Sequence, residues 1–316
     1  MPTPLPTLSV SIEDTLAELT TAYRVAGRSP HTTALFSTYI GHLVTYLATD
    51  DDGTTAIDEI TTGHLTRFLD SEQRRANLKP ASLSVILRTV RRFFAYAVEQ
   101  GHITSSPAKA VMAPRVVVEP VQFLSDEQLD TLLRVISRDR TLEGVRDTAL
   151  IRVLMDTGLR RGELIALRVD DVELTDPDAS AVTVRAITSK TRRGRTVPVG
   201  GKTVAALRQY LKVRRAYLAS KGRKDDGLVW ISAKGTLSAN GALQALRRRL
   251  RAAGLPQVTM HSLRHGWAAG VIEDGLPMPY VVKMGGWSNA VMPTTRYGQF
   301  GIESRAIDAM RALQNR

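Results

Sequence analysis

Cysteine is absent from the 316-residue chain, which excludes disulfides, thiolate nucleophiles and cysteine-based metal sites. Only histidine and carboxylates remain as metal ligands. Long apolar runs are missing as well. None approaches the ~18 residues of a membrane-spanning helix, and Met1-Pro2-Thr3-Pro4-Leu5-Pro6 lacks the basic and apolar parts of a signal peptide. A cytoplasmic protein with no membrane partner is the expectation. Acids are outnumbered, 31 Asp and Glu against 43 Lys and Arg, for a formal net charge of +12. Such a surplus suits a polyanion, because each neutralised phosphate releases condensed counterions. No acid occurs between Arg185 and Lys224 while Lys and Arg recur there. A merely solvated surface would intersperse the two signs.

What is present is enough apolar residue, 43% of the chain, for roughly two domains with their own cores. From Ser11 to about Met112 the pattern is helical: Ile12, Leu16 and Leu19 share a face, as do Leu35, Tyr39, Leu43 and Leu47, and Leu83, Ile86, Leu87, Val90 and Phe94. Breaks fall at Asp50-Asp51-Asp52-Gly53 and Leu78-Lys79-Pro80, and Gly101 closes the last helix. The helix over 81–99 carries Arg88, Arg91 and Arg92 beside its apolar stripe. These suit a phosphate backbone or, equally, an exposed basic face.

Periodicity is lost from Ala108 to Gln122, as in an extended linker. Ser125-Asp126-Glu127-Gln128 then supplies an N-cap with acids in the first turn. Val182 to Ile187 and Thr196 to Val199 flank a polar stretch and predict a β-hairpin whose tip carries Lys190, Arg192, Arg193 and Arg195. Leu228 to Ile231 predicts another strand.

Three segments contain residues suited to chemistry. Gly158 fits a helix C-cap, placing Arg160 and Arg161 in the turn before a helix over 163–168, where a guanidinium fork beside free backbone N–H groups suits phosphate. Taken alone, that segment is better read as an exposed turn. His261, Arg264 and His265 stand at i, i+3 and i+4 of one helix, an imidazole beside a permanent cation. A zinc site on His261 and His265 is disfavoured by the adjacent arginine and the lack of a third ligand. Trp287 and Tyr297 follow.

Together these segments resemble the tyrosine recombinases, the phage integrases and Xer-type site-specific recombinases. Thr157-Gly158-Leu159-Arg160-Arg161-Gly162-Glu163-Leu164 is similar to the family's first arginine motif, and His261-Ser262-Leu263-Arg264-His265 to its His-x-x-Arg box. Lys190 followed by Arg195-Thr196-Val197-Pro198-Val199 resembles the hairpin lysine and the strand after it. Trp287 stands where the family has His or Trp, and Tyr297 matches the nucleophile. The resemblance implies a mainly α protein with a small antiparallel β-sheet in its C-terminal domain. Its expected parts are a tail over 1–10, a helical core DNA-binding domain over 11–112, a linker over 113–122, a catalytic domain over 123–302 and a terminal helix over 303–316.

The resemblance also implies the chemistry. Tyr297 attacks a DNA phosphodiester to give a 3′-phosphotyrosyl intermediate, Arg160 and Arg264 clamp the phosphoryl oxygens, and Lys190 protonates the 5′ leaving oxygen. His261 handles the tyrosine proton, Trp287 donates its indole N–H, and Glu163 orients the cluster. No metal or other cofactor is implied. The partners are double-stranded DNA with paired inverted half-sites and further copies of the chain, a tetramer on DNA and a monomer or weak oligomer when free. Too few residues precede Ser11 for an extra N-terminal DNA-binding domain. Ile307, Met310 and Leu313 share a helical face that packs either on its own domain or on a neighbouring subunit.

The interval from Trp287 to Tyr297 is one residue longer than the common pattern and contains Pro293. Tyr280 is the rival nucleophile but falls out of order, and Arg161 competes with Arg160. The rival functions are a type IB topoisomerase-like nicking and closing enzyme and a catalytically silent DNA-binding protein of the same fold.

Overall fold

The computed structural model describes residues 10–50, 53–54, 56–116, 122–175, 179–189, 191–297, 310 and 314. The chain divides into two compact units, Met1–Glu119 and Pro120–Arg316.

The first unit is helical: α1 (Ile12–Val25), α2 (Pro30–Asp50), α3 (Thr62–Ala76) and α4 (Pro80–Glu99). Local chemistry sets their ends. The Ser11 side chain accepts the Asp14 backbone N–H, Asn77 closes α3 in a left-handed conformation, and Pro80 opens α4, where its missing N–H costs nothing. Leu19, Ile40, Leu43, Leu65, Phe68, Phe93 and Phe94 are buried between the helices.

Only part of the expected basic face of α4 projects outward. Arg91 is half-buried and donates to the backbone oxygens of Ala108 and Val111, tying down the segment after the helix. Arg92 pairs with Glu99 and donates to the Tyr23 hydroxyl. Arg88 is exposed and, among the described residues, has no protein partner. The narrowing has a simple cause: a guanidinium near unpaired carbonyls satisfies them before it reaches outward.

The second unit contains α5 (Asp126–Ile136), α6 (Leu142–Thr157), α7 (Arg161–Ile165), β1 (Val172–Glu173), β2 (Ala181–Val184), β3 (Arg195–Pro198), α8 (Gly201–Ser220), β4 (Ile231–Ser232), β5 (Gly235–Thr236), α9 (Ala239–Ala252), α10 (Met260–Glu273), α11 (Met278–Gly285) and α12 (Val291–Tyr297). Helix α6 is the centre, buried on most of its surface, with α8 and α10 packed against it. Its buried charges are paired: Arg146 donates to Asp147 and to the Ile231 carbonyl, and Arg249 reaches Asp147 from α9.

The sheet is antiparallel in the order β1-β2-β3, with Val184 opposite Arg195. It differs from the expected hairpin. The strands are shorter, residues 186–188 form a turn, and β1 adds a third strand. The strand expected over 228–231 is reduced to an isolated bridge from Leu228 to Arg168 and the start of the β4-β5 hairpin. The acid-free stretch becomes the hairpin end and α8, which exposes Lys202, Arg208, Lys212 and Arg215. Among the described residues no helix is long and apolar enough to cross a membrane.

Candidate active site

Helix α6 ends at Gly158, whose φ of 55° is the left-handed conformation that a Cβ disfavours. A Cβ there would also lie 2.1 Å from the Trp267 ring. This tight turn aims the Gly158 carbonyl at Arg264, whose Nη1 donates to it at 2.6 Å. Nη2 of Arg264 donates to the Gly285 carbonyl at 2.7 Å. Arg160 donates to the Gly286 carbonyl at 2.7 Å, and Arg195 to the Met284 carbonyl at 2.6 Å. Three consecutive carbonyls at the C-terminal end of α11 therefore hold three guanidinium groups, where the helix dipole favours cations.

Glu163 joins two of them. It accepts from Arg160 Nη1 at 2.9 Å and from both Nη atoms of Arg195, at 3.2 and 2.7 Å. It also caps its own helix by accepting the Arg160 backbone N–H at 3.0 Å. The turn before α7 is thus occupied by a carboxylate. Burial would raise the Glu163 pKa, but the hydrogen bonds and charge of Arg195, with the backbone N–H and charge of Arg160, hold it below the ordinary carboxylate range. Three guanidinium groups share the site with one carboxylate, so the cluster has a net positive charge. Arg264, 1% exposed, feels it most: burial and the charges of Arg160 and Arg195, against Glu163, lower its pKa to about 9. It remains charged at neutral pH.

Arg195 does not belong to the exposed charge of the hairpin tip, as expected from sequence. It begins β3, points inward and is spent on Glu163 and Met284. Arg192 and Arg193 are exposed at the hairpin end. Lys190 lies outside the described residues. Arg193, Arg195, Lys283, Trp287 and Ser288 line a cleft of about 360 Å³ between the hairpin and α11. Arg161 is exposed, whereas Arg160 is half-buried in the cluster.

Trp287 lies beside the arginines, with the Arg264 guanidinium 4.2 Å from its ring centroid, and it stacks on Trp267 at 6.2 Å. The indoles of Trp230 and Trp267 donate to the backbone oxygens of Leu164 and Asp156. That of Trp287 has no acceptor among the described residues.

Helix α10, capped by Thr259, carries His261, Arg264 and His265. His261 is exposed on one side, and burial together with Arg264, Arg296 and Arg160 lowers its pKa. Its ring meets the His265 ring edge to face at 4.3 Å. His265 is buried, and its Nδ1 is in hydrogen-bond contact with the hydroxyl of Tyr297, the last residue of α12. Burial, then His261, Arg296 and Arg264, push the His265 pKa down to about 4. Tyr297 is 2% exposed, in a small core with Ala268, Ile272 and Val281. Tyr280 is exposed on α11. His265, read from sequence as packing, is thus the side chain that meets the Tyr297 hydroxyl. The i, i+4 spacing from His261 was the available signal, but it cannot show which ring faces residue 297.

The phage integrase family model matches residues 122–300, more than half of the chain, and the model of its N-terminal SAM-like domain matches 21–101. The chain belongs to the phage integrase family. It is a tyrosine recombinase, and the helical first unit and mixed second unit are that family's architecture. Tyrosine recombinase XerC of Roseiflexus castenholzii is 29% identical over 240 residues, 75% of this chain and 73% of the relative. XerC of Xanthomonas axonopodis pv. citri is 33% identical over 213 residues, 67% of this chain and 65% of the relative. The fold is shared with the Tn1549 transposon integrase in complex with a circular intermediate DNA, at a TM-score of 0.73 and 20% identity over 96% of this chain and 100% of that one. It is shared also with XerH recombinase bound to a palindromic difH substrate after cleavage, at 0.72 and 18% identity over 95% and 84%.

Proposed function

We propose that Tyr297 is the nucleophile of this recombinase and that Arg160, Arg264, Lys190, His261 and Trp287 form the rest of its catalytic set, with Glu163 as the orienting carboxylate. The observation that carries this reading is the convergence of Arg160, Arg195 and Arg264 on three carbonyls at the end of α11, two of the three also on Glu163, next to the helix that holds Tyr297. A net positive, partly desolvated pocket stabilises the charge that builds on phosphoryl oxygens as a phosphodiester is attacked. Arg160 and the unpaired indole N–H of Trp287 are the open donors toward that phosphate. Lys190, carried by the hairpin, supplies the proton for the 5′ oxygen. Because the 3′-phosphotyrosyl bond keeps the energy of the phosphodiester, rejoining needs no nucleotide cofactor. Tyr297 and Arg264 are both buried, so DNA binding has to open a path for the phosphate to reach them while Tyr297 stays against His265.

The substrate is double-stranded DNA with paired inverted half-sites, bound in the cytoplasm by four copies of the chain. Contact with DNA is assigned to the helical domain over 11–112 and the catalytic domain over 123–302, joined by the linker over 113–122, with Arg88, Arg192 and Arg193 on phosphates. The tail over 303–316 docks on a neighbouring subunit. A cavity of about 420 Å³, with Leu129, Met155, Leu263 and Val271 on its walls beside Asp126, Glu273 and Asp274, is the proposed seat for the Ile307, Met310 and Leu313 face. Truncation after Ile302 then lowers cooperativity on two-half-site DNA, and unchanged cooperativity contradicts the docking.

A suicide substrate nicked near the cut site, tested beside a two-site recombination assay and a supercoil relaxation assay, checks the function. The expected result is covalent capture and strand exchange by the wild-type chain. Relaxation without exchange favours the topoisomerase reading, and no capture favours the silent DNA-binding protein.

A further inference from the structure

In the catalytic set proposed above, the tyrosine proton is assigned to His261. The Tyr297 hydroxyl, however, is in hydrogen-bond contact with Nδ1 of His265. Both side chains are buried, so this contact is shielded from bulk solvent. In the neutral tautomer with its ring proton on Nε2, His265 has a bare Nδ1 that accepts the hydroxyl hydrogen. The geometry is that required of a general base: a nitrogen within hydrogen-bond reach of the proton it removes.

The surroundings keep this nitrogen available. His261 and Arg264 face His265 from its own helix, and Arg296 and Tyr297 face it from α12. With burial, the neighbouring cations hold the ring neutral, and its pKa is lowered to about 4. A DNA phosphate entering between Arg160 and Arg264 cancels part of that positive field. The imidazole then becomes more basic at the stage when the tyrosine must lose its proton. The exposed His261 ring has its centroid 4.3 Å from that of His265.

We propose that His265 is a catalytic residue of this recombinase, taking the Tyr297 proton during strand cleavage and returning it on rejoining. The proposal rests on Tyr297 being the nucleophile. As the tyrosine oxygen bonds to phosphorus, its proton passes to His265 Nδ1. The bond from phosphorus to the 5′ oxygen breaks, and that oxygen takes a proton from a separate acid, the role proposed for Lys190. Attack by the 5′ hydroxyl reverses each transfer and leaves His265 neutral.

The test is single-turnover cleavage of the nicked suicide substrate from neutral into alkaline pH, with thermal melting and DNA affinity measured alongside. His265→Asn keeps a side-chain amide near the Nδ1 position but cannot accept the proton. It is expected to bind DNA normally and to cleave about 100- to 10,000-fold more slowly at neutral pH, with the loss shrinking as hydroxide takes over. A wild-type rate, or a loss independent of pH, overturns the proposal. A measurement on the wild-type protein covers the case in which the variant does not fold. Nitrogen-15 imidazole spectra are expected to show a bare His265 Nδ1 whose signal moves in Tyr297→Phe, and a protonated Nδ1 overturns the proposal. Undiminished covalent capture by Tyr297→Phe instead overturns the assignment of the nucleophile.

Discussion

The Arg195 guanidinium lies across the Glu163 carboxylate, with Nη2 2.7 Å from Oε2 and Nη1 3.2 Å from Oε1. Both groups are buried. This pair makes Arg195 a support of the arginine cluster and separates it from the exposed arginines only two and three residues earlier.

Without Arg195 the buried Glu163 loses two of its hydrogen bonds and keeps only those of Arg160. Arg195→Ala is therefore expected to cost about 3–5 kcal/mol of stability in denaturant melts. Arg193→Ala is expected to melt like the wild type and to lower the slope of log affinity against log salt by about 1. The reverse pattern would return Arg195 to the DNA-binding surface.

Arg160 and Arg264 each use a planar fork to reach two acceptors. Alanine at either position is expected to slow single-turnover cleavage by about 100- to 1000-fold, by analogy with the loss of an oxyanion donor. Arg264→Lys is expected to recover little, because a single ammonium cannot span the Gly158 and Gly285 carbonyls.

Gly158→Ala combines left-handed strain with a contact 2.1 Å from the Trp267 ring. A loss of roughly 2–5 kcal/mol is expected from the two effects. Cleavage should fall beyond what the lost stability explains, because the displaced carbonyl no longer orients Arg264. A wild-type melting temperature would contradict the described turn.

His265 gives stability a defined pH dependence. Its folded pKa, about 4, lies below the unfolded value of 6.5. The unfolded chain therefore binds the proton more readily, and stability present above pH 6.5 is lost as pH falls toward 4. The shift of His261 has the same sign. From His265 alone, about 2 kcal/mol should be lost between pH 7 and pH 5. Denaturant melts at the two pH values check this, and His265→Asn should lose less.

Much of this site is legible in the sequence because its turns are chemically marked. Gly158 ends α6 and puts Arg160 in the turn that follows, and the spacing of His261, Arg264 and His265 puts them on one helix before any coordinates are known. The hairpin is less legible. In Lys190-Thr191-Arg192-Arg193-Gly194-Arg195 nothing local shows that the last arginine turns inward, since its acceptor, Glu163, is 32 residues earlier in the chain. His265 fails for the same reason, because its partner arrives on a different helix. Strand β1 has only two residues and no periodicity to read.

The assignment of the nucleophile is tested most directly by mapping the covalent complex. After trapping on the nicked suicide substrate, digestion with trypsin cuts after Arg296 and Arg305, and separately after Arg264 and Lys283. The DNA phosphate should be found on the peptide that begins at Tyr297. A phosphate on the peptide from His265 to Lys283, which contains Tyr280, would contradict the account.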